Sequence, residues 1–506
     1  MITEVLKTDI LIVGAGPSGL ILAIELARRG ISFHFIEQRQ EPLIASRGKG
    51  IQPRTLEIFE DLGVLPAVLE ASSPYPWRRI LNVREVVSEQ PFALQSERTE
   101  DIPYPNMLMV PQWRTEAALR AHLLKLGGQI HEGHKLLAFS QNGDGVTATV
   151  ETASRSYDVR ACYMIGTDGG RSTIRNTLNI QMPGKTLDGP QLFFGDLEID
   201  CLERDAWAVW RNENAAFSLC PLPHTNLFQL IAALMPDDNP SLDIEFVSGL
   251  IKRRTGRDDI VVRAAPWLSI STPNLRLAER YRIDRIFLVG DAAHVHPPSG
   301  GQGLNTSIGD AYNLGWKLAS VVKGAPDALL DTYEEERRPI AAGMLELVGT
   351  LAGQVVEKQS RGRSTQQLDL NYRASSMSSE IGEGGTVMAG DRAPDVEYAG
   401  EKGQTRLFEA FQGPHFTVIL YGNAPQPTRL DGWNVDVVRL SKASAPNFAE
   451  IYGVDGDAII LIRPDNYIAM IDRTGSKTSV AKWFEASCRA RAGMPQRSDG
   501  YRHVDC

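Results

Sequence analysis

Apolar positions in this chain fall into two patterns whose alternation predicts an α/β protein. Short continuous runs at Asp9–Val13, Ile31–Ile36, Cys162–Gly166 and Ile286–Val289 have the length of buried strands. Between them lie stretches of helical period. Leu20–Arg29 is one, and Leu56, Phe59 and Leu62 mark the inner face of another. Trp113–Leu126 continues the series, and Leu304, Ile308, Ala311, Gly315, Leu318 and Val322 form one buried stripe that stops at Gly324 and Pro326.

The pattern changes twice more. Gln129–Val150 reads as short alternating strands around the turn Asn142–Gly145. Leu192–Ile199, Trp207–Trp210, Ala215–Leu222 and Leu227–Leu234 have the even spacing and period-two stretches of an antiparallel sheet. Residues 66–109, rich in proline and aromatics, hold little regular pattern. Asp331–Arg338 and Ile340–Val356 read as two helical stretches, and 361–385, poor in large apolar residues, reads as a linker. Beyond it Phe416–Tyr421, Val435–Leu440, Ala458–Arg463 and Tyr467–Ile471 resume a strand and helix alternation.

The resulting expectation is a Rossmann-type domain over 1–185, with part of a second domain near 75–110. An inserted β-sheet substrate domain follows over 186–280, then the first domain again with closing helices over 281–360, the linker, and a C-terminal α/β domain over 386–506. A sheet inserted between two motifs of the first domain suits a ligand cleft.

Composition narrows the function. A 506-residue chain with 42% hydrophobic residues, 23% charged residues and a net charge of −9 has ample core and no basic stripe for nucleic acid. No apolar run approaches the ~20 residues of a membrane helix, and no leader pattern is present, so a cytoplasmic location is expected. The five cysteines, Cys162, Cys201, Cys220, Cys488 and Cys506, have no metal-site or disulfide spacing.

The first chemistry is Gly14-Ala15-Gly16-Pro17-Ser18-Gly19, set between the first strand and the first helix. Gly14 suits a tight turn, Gly16 the close approach of a pyrophosphate and Gly19 helix-to-strand packing. Glu37, ending the second strand and followed by Gln38, would hold ribose hydroxyls. That carboxylate disfavours a 2′-phosphate, so FAD and NAD both fit this pocket and NADP does not. Arg47, Lys49 and Arg54 in SRGKGIQPR are suited to phosphate or ring contacts, with solvated surface as the other reading of Lys49 and of Arg47.

A second glycine-rich loop, Pro297, Pro298, Gly300, Gly301 and Gly303, opens into the helix that carries Leu304 and Asn305. It would let a ring that becomes anionic rest against backbone N–H groups. Asp291, at the carboxyl end of its strand, is placed to accept hydrogen bonds from ligand hydroxyls such as those of a ribityl chain.

These two loops, together with Gly166-Thr167-Asp168-Gly169-Gly170-Arg171-Ser172-Thr173-Ile174-Arg175, resemble the class A flavoprotein monooxygenases, the FAD-dependent aromatic hydroxylases related to p-hydroxybenzoate and phenol hydroxylases. The resemblance implies FAD as cofactor, NADH or NADPH as electron donor, O₂ and a small aromatic substrate as partners, and no metal. It places Asp168 and Arg175 in a motif serving FAD and NAD(P)H, the alternative being a structural Asp168–Arg175 pair. It also places Arg47 and Gln112 against the ribityl or pyrophosphate region.

In that family a reduced flavin adds O₂ at C4a, and the hydroperoxide formed there hydroxylates the ring. The resemblance sets Pro298, Gly301, Gly303 and the N–H groups of Leu304 and Asn305 against the flavin. Pro297, Gly301 and Arg47 would lie nearest the chemistry. His294 belongs to the motif and reads as structural, and His296 is a second candidate base. Trp207, Trp210, Phe217, Leu219, Phe228 and Gln229 are candidates to wall an aromatic pocket or to be plain core. The tail resembles the thioredoxin-like C-terminal domain of the phenol-hydroxylase branch but lacks C-x-x-C, which points to a structural or homodimer-forming role. Other functions on this scaffold are an epoxidase or reductase, or a non-catalytic FAD-binding redox sensor; a halogenase would carry W-x-W-x-I-P, which this chain lacks.

Overall fold

Val5–Val13 forms a strand because its apolar run is covered on both faces, and it pairs in parallel with Ser156–Gly166 on one side and Phe33–Glu37 on the other. The computed structural model describes residues 5–212, 215–297, 301–352, 363–401, 403–428, 430 and 433–488. The first sheet continues to Ile286–Leu288 beyond Ser156–Gly166, and to His131–Glu132 beyond Phe33–Glu37. Pro17–Ala27 and the long helix Gly303–Val322 pack against each other and against this sheet, with Leu20, Ile24, Ile308 and Leu314 fully buried. Both glycine-rich loops thereby open at the carboxyl end of the same parallel strands, where such sheets bind ligands.

The second sheet has seven strands among the described residues, in the order Val261–Ser271, Leu192–Asp200, Leu227–Ala233, Ala215–Pro221, Ala206–Asn212, Trp77–Asn82, Glu85–Gln90. Two of them come from the stretch that showed no pattern. Trp77–Asn82 joins through a parallel pairing with Ala206–Asn212, so the sheet is not wholly antiparallel. Helix Ile244–Thr255, which the sequence reading passed over, covers one face; it starts on an Asp243 cap and stops at Gly256, whose φ is +69°. The edge strand Val261–Ser271 was also passed over, being half-buried along most of its length.

Asp331–Ala352 is one helix that runs through Pro339, where two stretches were expected. The ring removes one backbone hydrogen bond, and burial of Ala341, Met344 and Val348 holds the helix together across it.

The tail builds a mixed five-stranded sheet, Ser379–Ile381, Ile468–Asp472, Ala458–Ile462, Phe416–Tyr421, Val435–Leu440, the arrangement expected of a thioredoxin-like domain. The polar stretch before it is not slack from residue 363 onward. Leu368, Tyr372 and Met377 are buried, and Gln367 donates to Gln302 Oε1 at 2.8 Å. No helix among the described residues is long and apolar enough to cross a membrane.

Candidate functional site

The nucleotide loop has the shape its glycines demand. Gly14 has φ +106°, and a Cβ there would lie 2.5 Å from the Thr167 carbonyl; a Cβ on Gly19 would lie 2.2 Å from the Gly14 carbonyl. Both positions are closed by protein. Gly16 differs, because a Cβ there meets nothing within 4 Å. Helix Pro17–Ala27 starts at Gly16 without a side-chain cap, so the open cradle faces unpaired N–H groups. Residues 14–19 therefore fit a dinucleotide pyrophosphate. Glu37 accepts from the N–H of Ala15 at 2.8 Å and of Arg39 at 3.0 Å, and each oxygen keeps a lone pair. Gln38 is exposed beside it.

Asp168 accepts from the N–H of Ile174 at 3.2 Å, while its buried Oδ1 has no hydrogen bond among the described residues. Burial pushes its carboxyl above the usual value. The structural pair with Arg175 is not made. That guanidinium donates instead to the carbonyls of Ala292 and Gly170, each at 3.0 Å, and so ties the Asp-Gly loop to the loop of Asp291. Asp291 is exposed there, and Gly290, with φ +63°, turns the chain so closely on Ser18 that a Cβ would lie 2.4 Å from its hydroxyl.

In the second glycine-rich loop, Pro297 is buried and Gly301 has φ +66°, where a Cβ would meet Gln52 Nε2 at 3.8 Å and Gly50 Cα at 4.0 Å. Pro298 and Gly300 lie outside the described residues. Gly303 abuts the His296 ring and begins the helix, with Leu304 half-buried next to it. Asn305 works through its side chain: Oδ1 accepts from the N–H of Gln52 at 2.8 Å, and Nδ2 donates to Gly50 at 2.9 Å and Gly301 at 2.7 Å. It staples this loop to residues 50–52. Gln112 does similar work, accepting from the N–H of Gly48 at 2.9 Å and donating to Glu116. His294 is buried and bonded to Asp310 at 2.8 Å, and Arg337 holds the other oxygen of that carboxylate, which fits the structural reading.

The segment 46–49 crosses from the flavin-type loop to the seven-stranded sheet. Arg47 reaches Ser269 at 3.3 Å near Trp267, Gln229 donates to the Ser46 carbonyl, and Lys49 lies 3.9 Å from the centroid of Trp207. Strand register explains the convergence. Trp267, Asp196, Gln229 and Cys220 are direct partners on adjacent strands, Trp207 is next in line and Arg78 follows it. One row of polar and aromatic side chains thus faces the loop.

Trp207 and Gln229 stand in that row as candidate wall residues. Phe217 and Leu219 do not, and neither do Trp210 and Phe228. All four lie on the opposite face, buried against helix Ile244–Thr255. Alternation along Ala215–Pro221 separates 217 and 219 from 218 and 220, but it cannot say which set faces the 46–49 loop, and the apolar set is the one that packs on the helix. Asp196 and Cys220 were missed for the same reason. Lys49 is buried, so its solvated reading is corrected.

The profile of the FAD binding domain family matches residues 7–348, and that of the aromatic-ring hydroxylase C-terminal domain matches 386–488. A flavin-dependent monooxygenase of Mycobacteroides abscessus is 39% identical over 476 residues, covering 92% of this chain and 97% of that protein. The 12-dehydrotetracycline 5-monooxygenase/anhydrotetracycline 6-monooxygenase of Streptomyces rimosus is 32% identical over 497 residues, covering 92% and 95%. Aklavinone-11 hydroxylase, solved with FAD and aklavinone, superposes with a TM-score of 0.80 at 25% identity over 95% of this chain and 99% of its own. With the open Gly16 cradle, the glycine-rich flavin-type loop and the facing sheet in one molecule, this chain belongs to the FAD-dependent aromatic-ring hydroxylases and is a flavoprotein monooxygenase.

Proposed function

We propose that the chain hydroxylates a phenolic or polycyclic aromatic substrate with NAD(P)H and O₂, the ring lying between the flavin loop at 301–305 and the polar face of the seven-stranded sheet. The observation that carries this reading is the 46–49 bridge, which sets two cationic side chains and Trp207 against that face. The relatives named for tetracycline and aklavinone chemistry support a multi-ring substrate. When bound, FAD supplies the redox carrier that accepts hydride and activates O₂.

The chain's own residues then bind, orient and shield. Gly16 and the N-terminus of Pro17–Ala27 would receive the pyrophosphate, Glu37 the adenosine ribose and Asp291 the ribityl hydroxyls, with Asp168 in the loop that would serve FAD and NAD(P)H. The helix that starts at Gly303 would offer its N-terminal partial positive charge to a ring system that becomes anionic. Buried Pro297 and the Asn305 staple keep that loop closed to water. A reducing cytoplasm and a homodimeric state suit a protein with scattered thiols and a tail without C-x-x-C.

The test is NADH or NADPH oxidation by the purified yellow protein across a panel of phenols and polycyclic aromatics, with products identified by mass. Stimulated oxidation and a product heavier by one oxygen are expected. Oxidation without any oxygenated product across the panel would overturn the reading.

A further inference from the structure

Several buried charges among the described residues are held in tight ion pairs, and Lys49 is not one of them. Lys317 meets Glu336 at 2.6 Å, Arg463 meets Glu336 and Asp465 at 2.6 Å each, and Arg54 meets Glu57 at 2.9 Å. Lys49 is only 8% exposed, and among the described residues its Nζ has no oxygen acceptor and no carboxylate within ion-pair reach; burial weakens its hold on the proton, and the Cys220 thiol and Asp196 work against that. Its neighbours are the Trp207 ring face, centred 3.9 Å away, and the Cys220 thiol, which burial keeps neutral. A cation–π contact offsets part of the desolvation of an ammonium, and an unpaired buried charge still costs several kcal/mol. A methionine would fill this position at lower cost. The cation is therefore held in readiness for something outside the protein's own bonding.

The surroundings indicate what it awaits. Gln229 Oε1 and Trp207 Nε1 are also buried without partners among the described residues. They lie in the same row of the sheet, so one short stretch of this sheet face holds a cation, a donor and an acceptor without oxygen or nitrogen partners among the described residues. Buried polar groups in native proteins are nearly always satisfied, and several unsatisfied together on a cleft wall match the edge of a polar ring substituent. Asp196, in the row beyond Gln229, is pushed by burial to about 6 and interacts with Ser46; its charge also acts on Lys49, but from beyond ion-pair distance.

We propose that Lys49 determines specificity by binding an acidic hydroxyl of the aromatic substrate as its oxyanion, an ionised phenol or an enolised 1,3-dicarbonyl, with the substrate ring beside Trp207. This rests on the reading that the substrate occupies this cleft. On binding, the hydroxyl loses its proton to solvent and the oxygen keeps the electron pair, which forms a charge-assisted hydrogen bond with the ammonium. The ionised oxygen raises electron density at the ortho and para ring carbons, where an electrophilic oxygen adds. The same contact thus selects the substrate and activates it.

The FAD-loaded protein is tested by equilibrium dialysis with 2-hydroxy-1,4-naphthoquinone, ionised at neutral pH, and with its 2-methoxy ether. The wild type is expected to favour the ionised probe by at least about tenfold. Lys49→Met removes that preference at unchanged FAD content, and Lys49→Arg keeps most of it. A wild type indifferent to the ionised probe, or a preference that survives Lys49→Met, overturns the assignment. Should Lys49→Met not fold, titration of 4-nitrophenol bound to the wild type decides: its ionisation moves at least one unit below the free value, and no downward shift overturns the proposal. NAD(P)H oxidation and FAD content are read on the same samples. A protein that oxidises NAD(P)H but ignores probe charge overturns the Lys49 role alone, whereas one that takes up no FAD overturns the hydroxylase reading and this inference with it.

Discussion

The two glycines of the nucleotide loop separate folding from binding. Gly14→Val places a branched side chain into the Thr167 backbone at a positive φ, so it is expected to lower the melting temperature or prevent folding rather than only expel the cofactor. Gly16→Val meets no protein atom, so a folded protein with an unchanged circular dichroism spectrum and little bound flavin is expected. Flavin absorbance after desalting checks both. Asp291 makes a third case: it is exposed and can be truncated without opening the core. Asp291→Ala is expected to weaken FAD binding by roughly 1.5–3 kcal/mol, the scale of a hydrogen bond to a charged group, with the melt of the apoprotein unmoved. Unchanged affinity by fluorescence titration would make it scaffold.

At the scale of elements, the flavin-type loop is tied from two directions about a tight turn. Asn305 binds it to residues 50–52, Gln302 donates to the Thr365 carbonyl at 2.9 Å, and Gly301 supplies a left-handed turn. Members of this family are expected to make hydride transfer wait for substrate, and such timing needs a loop that tolerates two flavin positions. Substrate is therefore expected to accelerate flavin reduction by at least about tenfold, or roughly 1.4 kcal/mol of barrier. Gly301→Val, strained at φ +66° and pressing on Gln52 and Gly50, is expected to uncouple reduction from hydroxylation. Stopped-flow absorbance with and without substrate measures the first, and the ratio of peroxide to product measures the second; equal reduction rates would show that no such gate operates.

At the scale of the molecule, the C-terminal domain is anchored through buried charge. Glu336, on the helix Asp331–Ala352, receives Lys317 from the long helix and Arg463 from the tail, while Arg54 donates to the Asp465 carbonyl at 2.8 Å. Burial works to raise the Glu336 carboxyl, but the two cations overcome it and hold it well below the ordinary 4.5. A carboxylate depressed in the folded state contributes its full stabilisation above about pH 4.5, and the contribution fades as pH falls from there toward the folded value. Glu336→Gln leaves two buried cations short of a partner and is expected to cost about 3–5 kcal/mol at pH 7. The deficit relative to wild type should narrow as pH drops below 4.5. Urea melts at pH 7 and pH 4 check the size and the sign.

The cofactor side of this protein was legible in its sequence because it is built from contiguous segments. A strand, a glycine loop and a helix are neighbours along the chain, so Gly14, Gly16 and Gly19 announce their roles by spacing, and so do Glu37 and the Gly290–Asp291 turn. The period of the long helix was equally plain, since one buried stripe shows in any 20-residue window. The substrate side was not legible, for a geometric reason. A strand has two faces, and alternation assigns Phe217 and Leu219 to one and Ser218 and Cys220 to the other without saying which looks across the cleft. Only the packing of Ile244–Thr255 decided that, and it set the apolar residues on the face away from the 46–49 loop. Lys49 shows the same limit in a single residue. Its neighbours in sequence are small and polar, as on a surface, and its burial is imposed by Trp207 and Cys220, which lie more than a hundred residues away in the chain. Residue order sets local geometry through backbone sterics and periodicity, whereas the charge and exposure of a side chain are properties of the neighbours that folding brings to it.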